Sequence, residues 1–416
     1  MRVIIYGAIS ETIVPPSIAS RLKLKFRQQM YAYRDIKHFK RNKANLIDYR
    51  NHDHITATNI GDIAITETIT NYFSTNDLNL TIEYCNWNNL QQLNKSNPIS
   101  ASDWIIVPGG GYFMFSKGSE VADRIATDIE IFEASKVNVV LFGVGVNRPD
   151  DSSKGDLVIS QNSGCFISRL LDLSKLVSVR DLYSKEFLEE YTNRSIELIG
   201  DPALHLASQL GITRTSEKDR SSSEKPIIGI NFPFHGPTSN RLLVKNIHQY
   251  INFLKKLQLA TDCDFYYFVH YESGLFIPKL LSSGGIKTTV ISGSTVTLLK
   301  AYKSLNLHIG GMLHSCIFSH SVGTPAIGLA YDIKHIGFFN LFESPENCIS
   351  AFDFDADLLL QRSLELLSMP RTPRDNIATR CIELRGLTDD FAARTLKIMR
   401  NGESKIENEV FPVACS

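Results

Sequence analysis

Short apolar segments that end in glycine or charged residues recur along this chain, and a helical pattern follows most of them. One such segment, residues 307–309, ends at Gly310-Gly311 and leads into apolar residues at helical spacing from Leu313. A second apolar segment, Ala326–Ala330, follows that helix. Strand–helix–strand order of this kind builds parallel sheets with both faces covered. The repetition predicts an α/β protein with doubly wound, Rossmann-like sheets.

The domain organisation follows from the length and from one break in the pattern. A chain of 416 residues exceeds what one hydrophobic core usually supports, so we expect two domains. The polar, serine-rich segment 213–225 is predicted to link a first domain, 1–212, to a second, 226–416. Closing helices are predicted near 356–367 and 389–399, the last beginning at Thr388. The expected architecture is two Rossmann-like domains that face one cleft.

The overall composition excludes some classes of protein. The 44 Lys and Arg residues are balanced by 44 Asp and Glu, which argues against a nucleic-acid-binding protein. The seven cysteines form no CxxC pair, as is typical of proteins in a reducing compartment. The chain also lacks an apolar run of about 18 residues that could span a bilayer. The sequence therefore predicts a cytoplasmic protein.

The segment 21–50 departs from this balance. It is rich in Lys and Arg interleaved with Phe and Tyr, and its acidic residues are Asp35 and Asp48. One interpretation is a basic arm that makes a peripheral contact with an anionic membrane surface or a pyrophosphate-linked acceptor. The other is a solvated insertion in the first domain without a ligand. Both interpretations stay open from the sequence.

Residues at the predicted carboxyl ends of the strands are candidates for a binding site, because parallel sheets bind ligands at that edge. In the first half of the chain they are Asn59, Asp62, Gly109, Gly110, Gly111, Arg180, Asp181 and Asp201. In the second half they are His270, His314, Ser315, Tyr331 and Lys334. Cations, glycine-turn amides and a histidine at a helix start suit an anionic donor and acid–base chemistry without a metal.

Several candidates also have a purely structural interpretation. The glycines 109–111 are compatible with a simple tight turn, and Asp62 with a helix cap. Arg180 and Asp181 are compatible with an ion pair at the start of the next helix. His314 directly follows a glycine turn at a helix start, where a titratable side chain favours a functional role.

Two patterns resemble metal sites, and we interpret both otherwise. Asp353, Asp355 and Asp357 alternate like ligands, but they precede a leucine-rich helix and are predicted to cap it. His52 and His54 have no third partner at ligand spacing. We therefore predict no metal.

Taken in order along the chain, the motifs resemble the polysaccharide pyruvyl transferase family over roughly residues 55–340. The matching pieces are Asn59-Ile60-Gly61-Asp62, Gly109-Gly110-Gly111, residues 143–147, Arg180-Asp181 with Ser184, Asp201-Pro202-Ala203, and Leu313-His314 with Gly323, Pro325, Tyr331 and Lys334. The resemblance implies a fold like that of GT-B glycosyltransferases. It also implies transfer of an enolpyruvyl group from phosphoenolpyruvate to two sugar hydroxyls, giving a pyruvate ketal and phosphate in polysaccharide biosynthesis.

The resemblance also implies roles for the candidate residues. His314 would protonate the donor methylene, and Asp62 would orient or deprotonate a hydroxyl of the acceptor. The acceptor would be a saccharide or a lipid-linked oligosaccharide, and no cofactor is expected. Arg180 and Lys334 would hold the carboxylate and the phosphate of the donor. The other candidates for substrate binding are Asn59, the glycines 109–111, Ser315 and Tyr331.

One position departs from the family. Where the family pattern has Arg-Leu-His, this chain has Met312-Leu313-His314. A methionine cannot replace the guanidinium group as a partner for carboxylate or phosphate, so another cation, such as Arg148 or Arg241, would have to serve. Two alternatives therefore stay open, a GT-B glycosyltransferase that uses a nucleotide sugar and a non-catalytic relative.

Overall fold

The computed structural model describes residues 1–7, 26, 30, 59–74, 78–116, 120–147, 159–212, 225–234, 237–368 and 372–401. Apart from Phe26, Met30 and Lys225, the basic segment and the linker that the sequence predicts lie outside these residues, and so does Arg148. Both segments stay predictions. None of the helices within the described ranges is both long enough and apolar enough to cross a membrane.

Strands and helices alternate along the chain. The strands are β1 (Arg2–Gly7), β2 (Thr81–Asn86), β3 (Trp104–Pro108), β4 (Phe113–Ser116), β5 (Glu120–Val121), β6 (Asn138–Val144), β7 (Val146–Asn147), β8 (Ser174–Val179), β9 (Glu197–Leu198), β10 (Ile227–Asn231), β11 (Asp264–Phe268), β12 (Thr289–Ile291), β13 (Leu307–Gly310), β14 (Ala326–Ala330) and β15 (Cys348–Ser350). The helices are α1 (Ile60–Ser74), α2 (Leu90–Ser96), α3 (Arg124–Ser135), α4 (Gln161–Leu173), α5 (Leu182–Glu189), α6 (Leu206–Gln209), α7 (Pro237–Thr261), α8 (Ile277–Ser283), α9 (Thr295–Lys303), α10 (Leu313–Ser321), α11 (Ile333–Leu341), α12 (Ala356–Ser368) and α13 (Thr372–Asn401).

The chain divides into two compact units. Unit 1 comprises the described parts of Met1–Ile9, Asp62–Leu206 and Ile382–Ser416. Unit 2 comprises those of Ser10–Gly61 and Ala207–Cys381.

Unit 1 contains a six-stranded sheet in the order β2-β1-β3-β6-β8-β9, in which every pair is parallel. All five residues of β3 are buried, as its unbroken apolar run predicts. The strand order reverses between β1 and β3, because β2 lies on one side of β1 and β3 on the other. Ligands of open parallel sheets bind beyond the carboxyl ends of the strands at such a reversal.

Unit 2 contains a second six-stranded parallel sheet, in the order β12-β11-β10-β13-β14-β15. Its order reverses between β10 and β13, where Asn231 pairs with Gly310. The prediction of an α/β fold with two Rossmann-like sheets is confirmed. Each sheet therefore has one reversal point, which is where open parallel sheets bind their ligands.

The last helix corrects one prediction. Thr388 does not begin a helix, because α13 runs unbroken from Thr372 to Asn401. Its hydroxyl is fully buried within hydrogen-bond distance of Leu384 O (2.9 Å), Ile199 O (3.0 Å) and His205 Nε2 (2.9 Å). A threonine hydroxyl bonded to the carbonyl of residue i−4 is compatible with a helix interior. The second half of α13 consequently belongs to unit 1, although the sequence placed it in the second domain.

The predicted cap of α12 is confirmed. Oδ1 of Asp355 accepts hydrogen bonds from the amides of Asp357 and Leu358, each at 2.9 Å. A carboxylate at this position satisfies amides that the first helical turn leaves unpaired. The aspartates at this helix start therefore serve the helix, as the sequence indicated.

Buried titratable groups differ between the units. In unit 2, burial lowers the pKa of His270 and of His320 to about 3, that of His335 to about 4, and that of His308 well below its usual range. In unit 1, burial lowers the pKa of His205 to about 3, and it raises the pKa of Asp128 to about 7 and that of Asp201 to about 6. Unit 2 thus holds four neutral buried histidines, whereas unit 1 holds one, together with two readily protonated carboxyl groups.

We expect unit 2 to lose stability when the pH is lowered from about 7.5 to about 5.5. Histidines of the unfolded chain, with a pKa near 6.5, take up protons that the four buried rings of unit 2 reject, so the free energy of unfolding falls below that pH. Four such groups give a loss on the order of 5 kcal/mol. In unit 1 the same effect of His205 is opposed by Asp128 and Asp201, because these folded carboxyl groups bind protons at a higher pH than the unfolded ones.

Hydrogen exchange measured peptide by peptide at the two pH values tests this difference. Core peptides of unit 2 should lose protection at the lower pH, while the fluorescence of Trp87 and Trp104, both in unit 1, reports a retained fold. His320→Leu provides the control, since neither ring nitrogen of His320 has a partner among the described residues. This variant should lose about a quarter of the pH effect in unit 2. Equal loss of protection in both units would contradict the assignment.

Candidate functional site

Asn231 organises the reversal point of the sheet in unit 2. Its Nδ2 donates to Phe268 O at 2.8 Å, while its Oδ1 accepts from the amide of Met312 at 3.0 Å. The amide of Gly311 donates to Asn231 O at 2.5 Å. One asparagine at the end of β10 therefore joins β11 to the turn between β13 and α10.

Met312 lies at the N-cap position of α10, and its side chain is buried, with 8% of its surface exposed. It lines a pocket beyond the carboxyl ends of β10, β11 and β13. The other lining residues are Asn231, Phe232, Phe234, Tyr267, Phe268, Val269, His270, Tyr271 and Gly274. No Lys, Arg, Asp or Glu is among these described lining residues. Aromatic side chains therefore dominate the wall of this pocket, together with the polar groups of Asn231 and His270.

His314 lies in the first turn of α10, half-buried, with its ring packed against the backbone of Gly61. A Cβ atom at position 61 would overlap the imidazole, so only glycine allows this approach. Nearby, the amide of Ile60 donates to His270 O at 3.3 Å. The structure thus brings together the 59–61 motif, His270 and His314, all within unit 2.

Asn59 and Asp62 take different places at the start of α1. Oδ1 of Asn59 accepts a hydrogen bond from the amide of Gly61 at 3.0 Å, so its side chain caps the helix start. Asp62 lies in the first helical turn and is partly exposed, and its backbone carbonyl accepts from the hydroxyl of Thr66 at 2.9 Å. The capping role that the sequence left open for Asp62 belongs to Asn59.

Ser315 corrects the prediction of a substrate contact. Its side chain is fully buried, and Oγ lies 2.7 Å from Met312 O and 2.9 Å from Nε2 of His308. A hydroxyl enclosed in this way cannot reach a ligand at the protein surface. Ser315 instead fixes the first turn of α10, which carries Met312 and His314.

Tyr331 and Lys334 follow the carboxyl end of β14. Tyr331 is buried and packs with Leu242 and Ala351. Nζ of Lys334 lies 5.3 Å from the centre of the Tyr331 ring and 3.9 Å from Oδ2 of Asp332. The lysine side chain is 18% exposed, so its charge lies near the strand end and is shared with a carboxylate.

The glycine turn of unit 1 follows β3. The amide of Gly109 donates to Phe142 O at 2.7 Å, so the neighbouring strand uses it. Gly110 has a φ of +69°, which requires glycine in practice, and its carbonyl accepts from the amide of Gly145 at 2.9 Å. The turn at 109–111 is thereby fastened to the turn after β6.

Arg180 is enclosed by protein partners at the end of β8. Its Nη2 donates to Oδ1 of Asn147 at 2.6 Å, and its Nε to Oδ2 of Asp181 at 3.2 Å. Nη1 lies 3.9 Å from Oδ2 of Asp201. The arginine is 4% exposed and each aspartate 2%. The guanidinium charge is therefore balanced inside the protein.

The two aspartates beside Arg180 also begin helices. Oδ1 of Asp181 accepts from the amide of Ser184 at 2.8 Å, and Oδ1 of Asp201 from that of Ala203 at 3.0 Å. The ion-pair interpretation of Arg180 and Asp181, which the sequence left open, is confirmed. The nitrogens of Arg180 already have Asn147, Asp181 and Asp201 as partners. The expected contact of Arg180 with a ligand therefore stays a prediction.

Sequence reasoning missed Asn231, and it named Asn147 only within the motif at 143–147, without a role of its own. The available signal was their position, since each stands at the end of an apolar strand segment. Asparagine side chains do not titrate, so they are not candidates for acid–base chemistry. Asn231 nevertheless fixes the turn before α10, and Asn147 accepts a hydrogen bond from Arg180.

Solved structures with a similar fold include a complex with UDP and a putative sugar-nucleotide epimerase. The S. aureus MnaA–UDP complex has a TM-score of 0.56 at 11% identity, covering 84% of this chain and 97% of that one. A putative UDP-N-acetylglucosamine 2-epimerase from Listeria monocytogenes has a TM-score of 0.54 at 11% identity, covering 83% and 88%. At such identity the likeness shows the fold alone, and the GT-B-like class is confirmed.

A search of curated proteins gave no match. Comparison with protein families matched polysaccharide pyruvyl transferase over residues 59–333, more than half of the 416 residues. The matched region contains the 59–62 motif, the glycine turn, Arg180 and the start of α10. The chain belongs to the polysaccharide pyruvyl transferase family.

Proposed function

We propose that this protein transfers the enolpyruvyl group of phosphoenolpyruvate to a saccharide, forming a pyruvate ketal during polysaccharide biosynthesis. The observation that carries the proposal is the packing of His314 against Gly61. Two motifs that are distant in sequence and shared with the family meet there. Membership of a family of transferases supports the same reaction class.

The reaction forms two carbon–oxygen bonds, breaks one, and moves two protons. Two sugar hydroxyl oxygens bond to the central carbon of the donor, and its bond to the phosphate oxygen breaks. One proton goes to the methylene carbon, which becomes a methyl group, and the other leaves with phosphate. His314, protonated, would donate the first proton, and Asp62 would accept a proton from the acceptor hydroxyl. Lys334, which follows the end of β14, would contribute its charge to binding of the anionic donor.

Phosphate release from phosphoenolpyruvate in the presence of candidate saccharides tests the reaction directly. Ketal formation on the saccharide should accompany release in equal amounts. Thermal-shift measurements separate the remaining alternatives. Stabilisation by uridine or guanosine diphosphate, with none by phosphoenolpyruvate, would favour a glycosyltransferase. A folded protein that binds neither donor would indicate a non-catalytic relative.

His314→Gln should reduce kcat about 10²–10⁴-fold and leave the dissociation constant of phosphoenolpyruvate nearly unchanged. The reason is that a proton donor acts mainly in the transition state. Steady-state kinetics and calorimetric titration provide the two numbers. His248→Gln, on the exposed side of α7, is the matched control and should retain full activity. A His314→Gln enzyme with the original kcat would refute the assignment of His314 as the acid.

Met312→Arg should increase the affinity for phosphoenolpyruvate about tenfold or more, because a charge-assisted hydrogen bond contributes about 1.5–3 kcal/mol. Without donor the same variant should unfold more easily, since its pocket offers the new charge no carboxylate among the described residues. Titration calorimetry and thermal unfolding with and without donor measure both effects. Met312→Leu is the control. Unchanged affinity of the arginine variant would show that position 312 does not face the donor.

Arg180→Gln should lower the free energy of unfolding of unit 1 by about 3–5 kcal/mol, because it leaves the carboxylates of Asp181 and Asp201 buried without their cation. Urea unfolding followed by tryptophan fluorescence measures the loss. Arg169→Gln breaks an exposed pair with Glu133 and should cost less than about 1 kcal/mol. If Arg180→Gln kept full stability and lost only donor binding, Arg180 would be a ligand-binding residue instead.

A further inference from the structure

A cluster of aromatic residues surrounds Arg124 at the reversal point of the sheet in unit 1. Trp87 directly follows β2, Tyr6 lies at the end of β1, and Tyr112 follows the glycine turn after β3. Because β2, β1 and β3 are neighbouring parallel strands, their carboxyl ends lie at one edge. Arg124 begins α3 and extends its side chain to this cluster.

The guanidinium group of Arg124 is held in a defined place. Its central carbon lies 4.3 Å from the centre of the Trp87 ring and 5.4 Å from that of Tyr112. Nη2 donates to Tyr112 O at 2.7 Å and lies 3.5 Å from Gly111 O. Stacking and bonds to carbonyl oxygens fix an arginine without neutralising it.

The charge of Arg124 is not balanced by an ion pair within the described residues. Asp128, one helical turn further along α3, accepts hydrogen bonds instead from the hydroxyl groups of Tyr6 and Tyr112, both at 2.8 Å. Nε of Arg124 is buried and has no partner among those residues, while the side chain as a whole remains partly exposed. Arg180, in contrast, has Asp181 and Asp201 beside it.

The ring of Trp87 is fixed as well. It stacks on Tyr112 at 5.1 Å between ring centres, and Tyr6 meets it edge-on at 5.4 Å. The ring also packs against the backbone of Gly7, where a Cβ atom would overlap it. A cation on such a platform is oriented before a ligand arrives, which lowers the entropy cost of binding.

We propose that Arg124, stacked on Trp87, binds a phosphate or pyrophosphate group carried by the saccharide acceptor. The guanidinium fork matches phosphate oxygens, and the reversal point is where a parallel sheet takes its ligand. That the phosphate belongs to a saccharide rests on the proposed function. The anion site itself rests on the geometry of unit 1.

Titration with anions tests the site without any turnover. In a Trp104→Phe background, Trp87 is the sole tryptophan, and its fluorescence should change as inorganic pyrophosphate or a sugar 1-phosphate is added. The unphosphorylated sugar should give no change. Calorimetry on the otherwise unaltered protein measures the same dissociation constants. Tight binding of pyrophosphate but not of the sugar 1-phosphate would assign the site to a diphosphate linkage. Tight binding of the sugar 1-phosphate but not of pyrophosphate would assign it to a monophosphate.

Variants of Arg124 decide whether it forms the site. Arg124→Gln should weaken anion binding roughly tenfold or more, and Arg169→Gln, an exposed arginine of the same unit, should leave it unchanged. Arg124→Lys keeps the charge but loses the fork and the stacking, so it should weaken binding several-fold. If Arg124→Gln does not fold, the affinity of Arg124→Lys provides the test. Original affinity in a folded variant of Arg124 would overturn the proposal.

The outcomes separate this site from the reaction. Anion binding that depends on Arg124, together with no phosphate release from phosphoenolpyruvate, would overturn the proposed function and leave the anion site standing. Pyruvyl transfer with equal KM values for phosphorylated and unphosphorylated saccharides, in both the original protein and Arg124→Gln, would overturn the assignment of this site to the acceptor's phosphate and leave the proposed function standing.

Discussion

Parallel strand pairing determines where each candidate side chain lies. Within a parallel sheet the ladder uses the backbone amides and carbonyls, so groups for a ligand remain at the strand ends and in the turns beyond them. In unit 2 the pairing of Asn231 with Gly310 puts the following turn beside the asparagine side chain. Met312 and His314 owe their positions to that register. In unit 1 the same constraint gathers Trp87 and Tyr112 at one edge.

The burial of charge distinguishes two arginines of unit 1 that the sequence alone does not separate. Arg180 is enclosed with two carboxylates, and the desolvation of three charges is offset by their mutual attraction and by helix amides. Arg124 lies against rings and carbonyl oxygens, which stabilise its position, and it forms no direct ion pair within the described residues, although its charge acts on the nearby carboxyl group of Asp128. An arginine of the second kind retains the capacity to attract an anion.

The pocket beside α10 shows how one substitution alters a site while the fold persists. Met312 lies at the N-cap position, where its amide bonds to Asn231 whatever its side chain is. The turn and the placement of His314 against Gly61 therefore do not require an arginine at this position. The side chain at 312 instead forms part of the wall of the aromatic pocket, where methionine brings no charge. Family membership is thus compatible with a methionine at position 312.

The sequence by itself determined the fold class, the places where strands end and the family, because these depend on neighbouring residues and on motif order. It identified His314 and Asp355 correctly by position, as a residue of a helix start and as a cap. Only the tertiary structure decided that Thr388 lies inside a helix and that Ser315 is enclosed. It alone also supplied Arg180 with its carboxylates and Arg124 with its aromatic platform. Those outcomes depend on contacts between residues far apart in the chain, which local patterns do not encode.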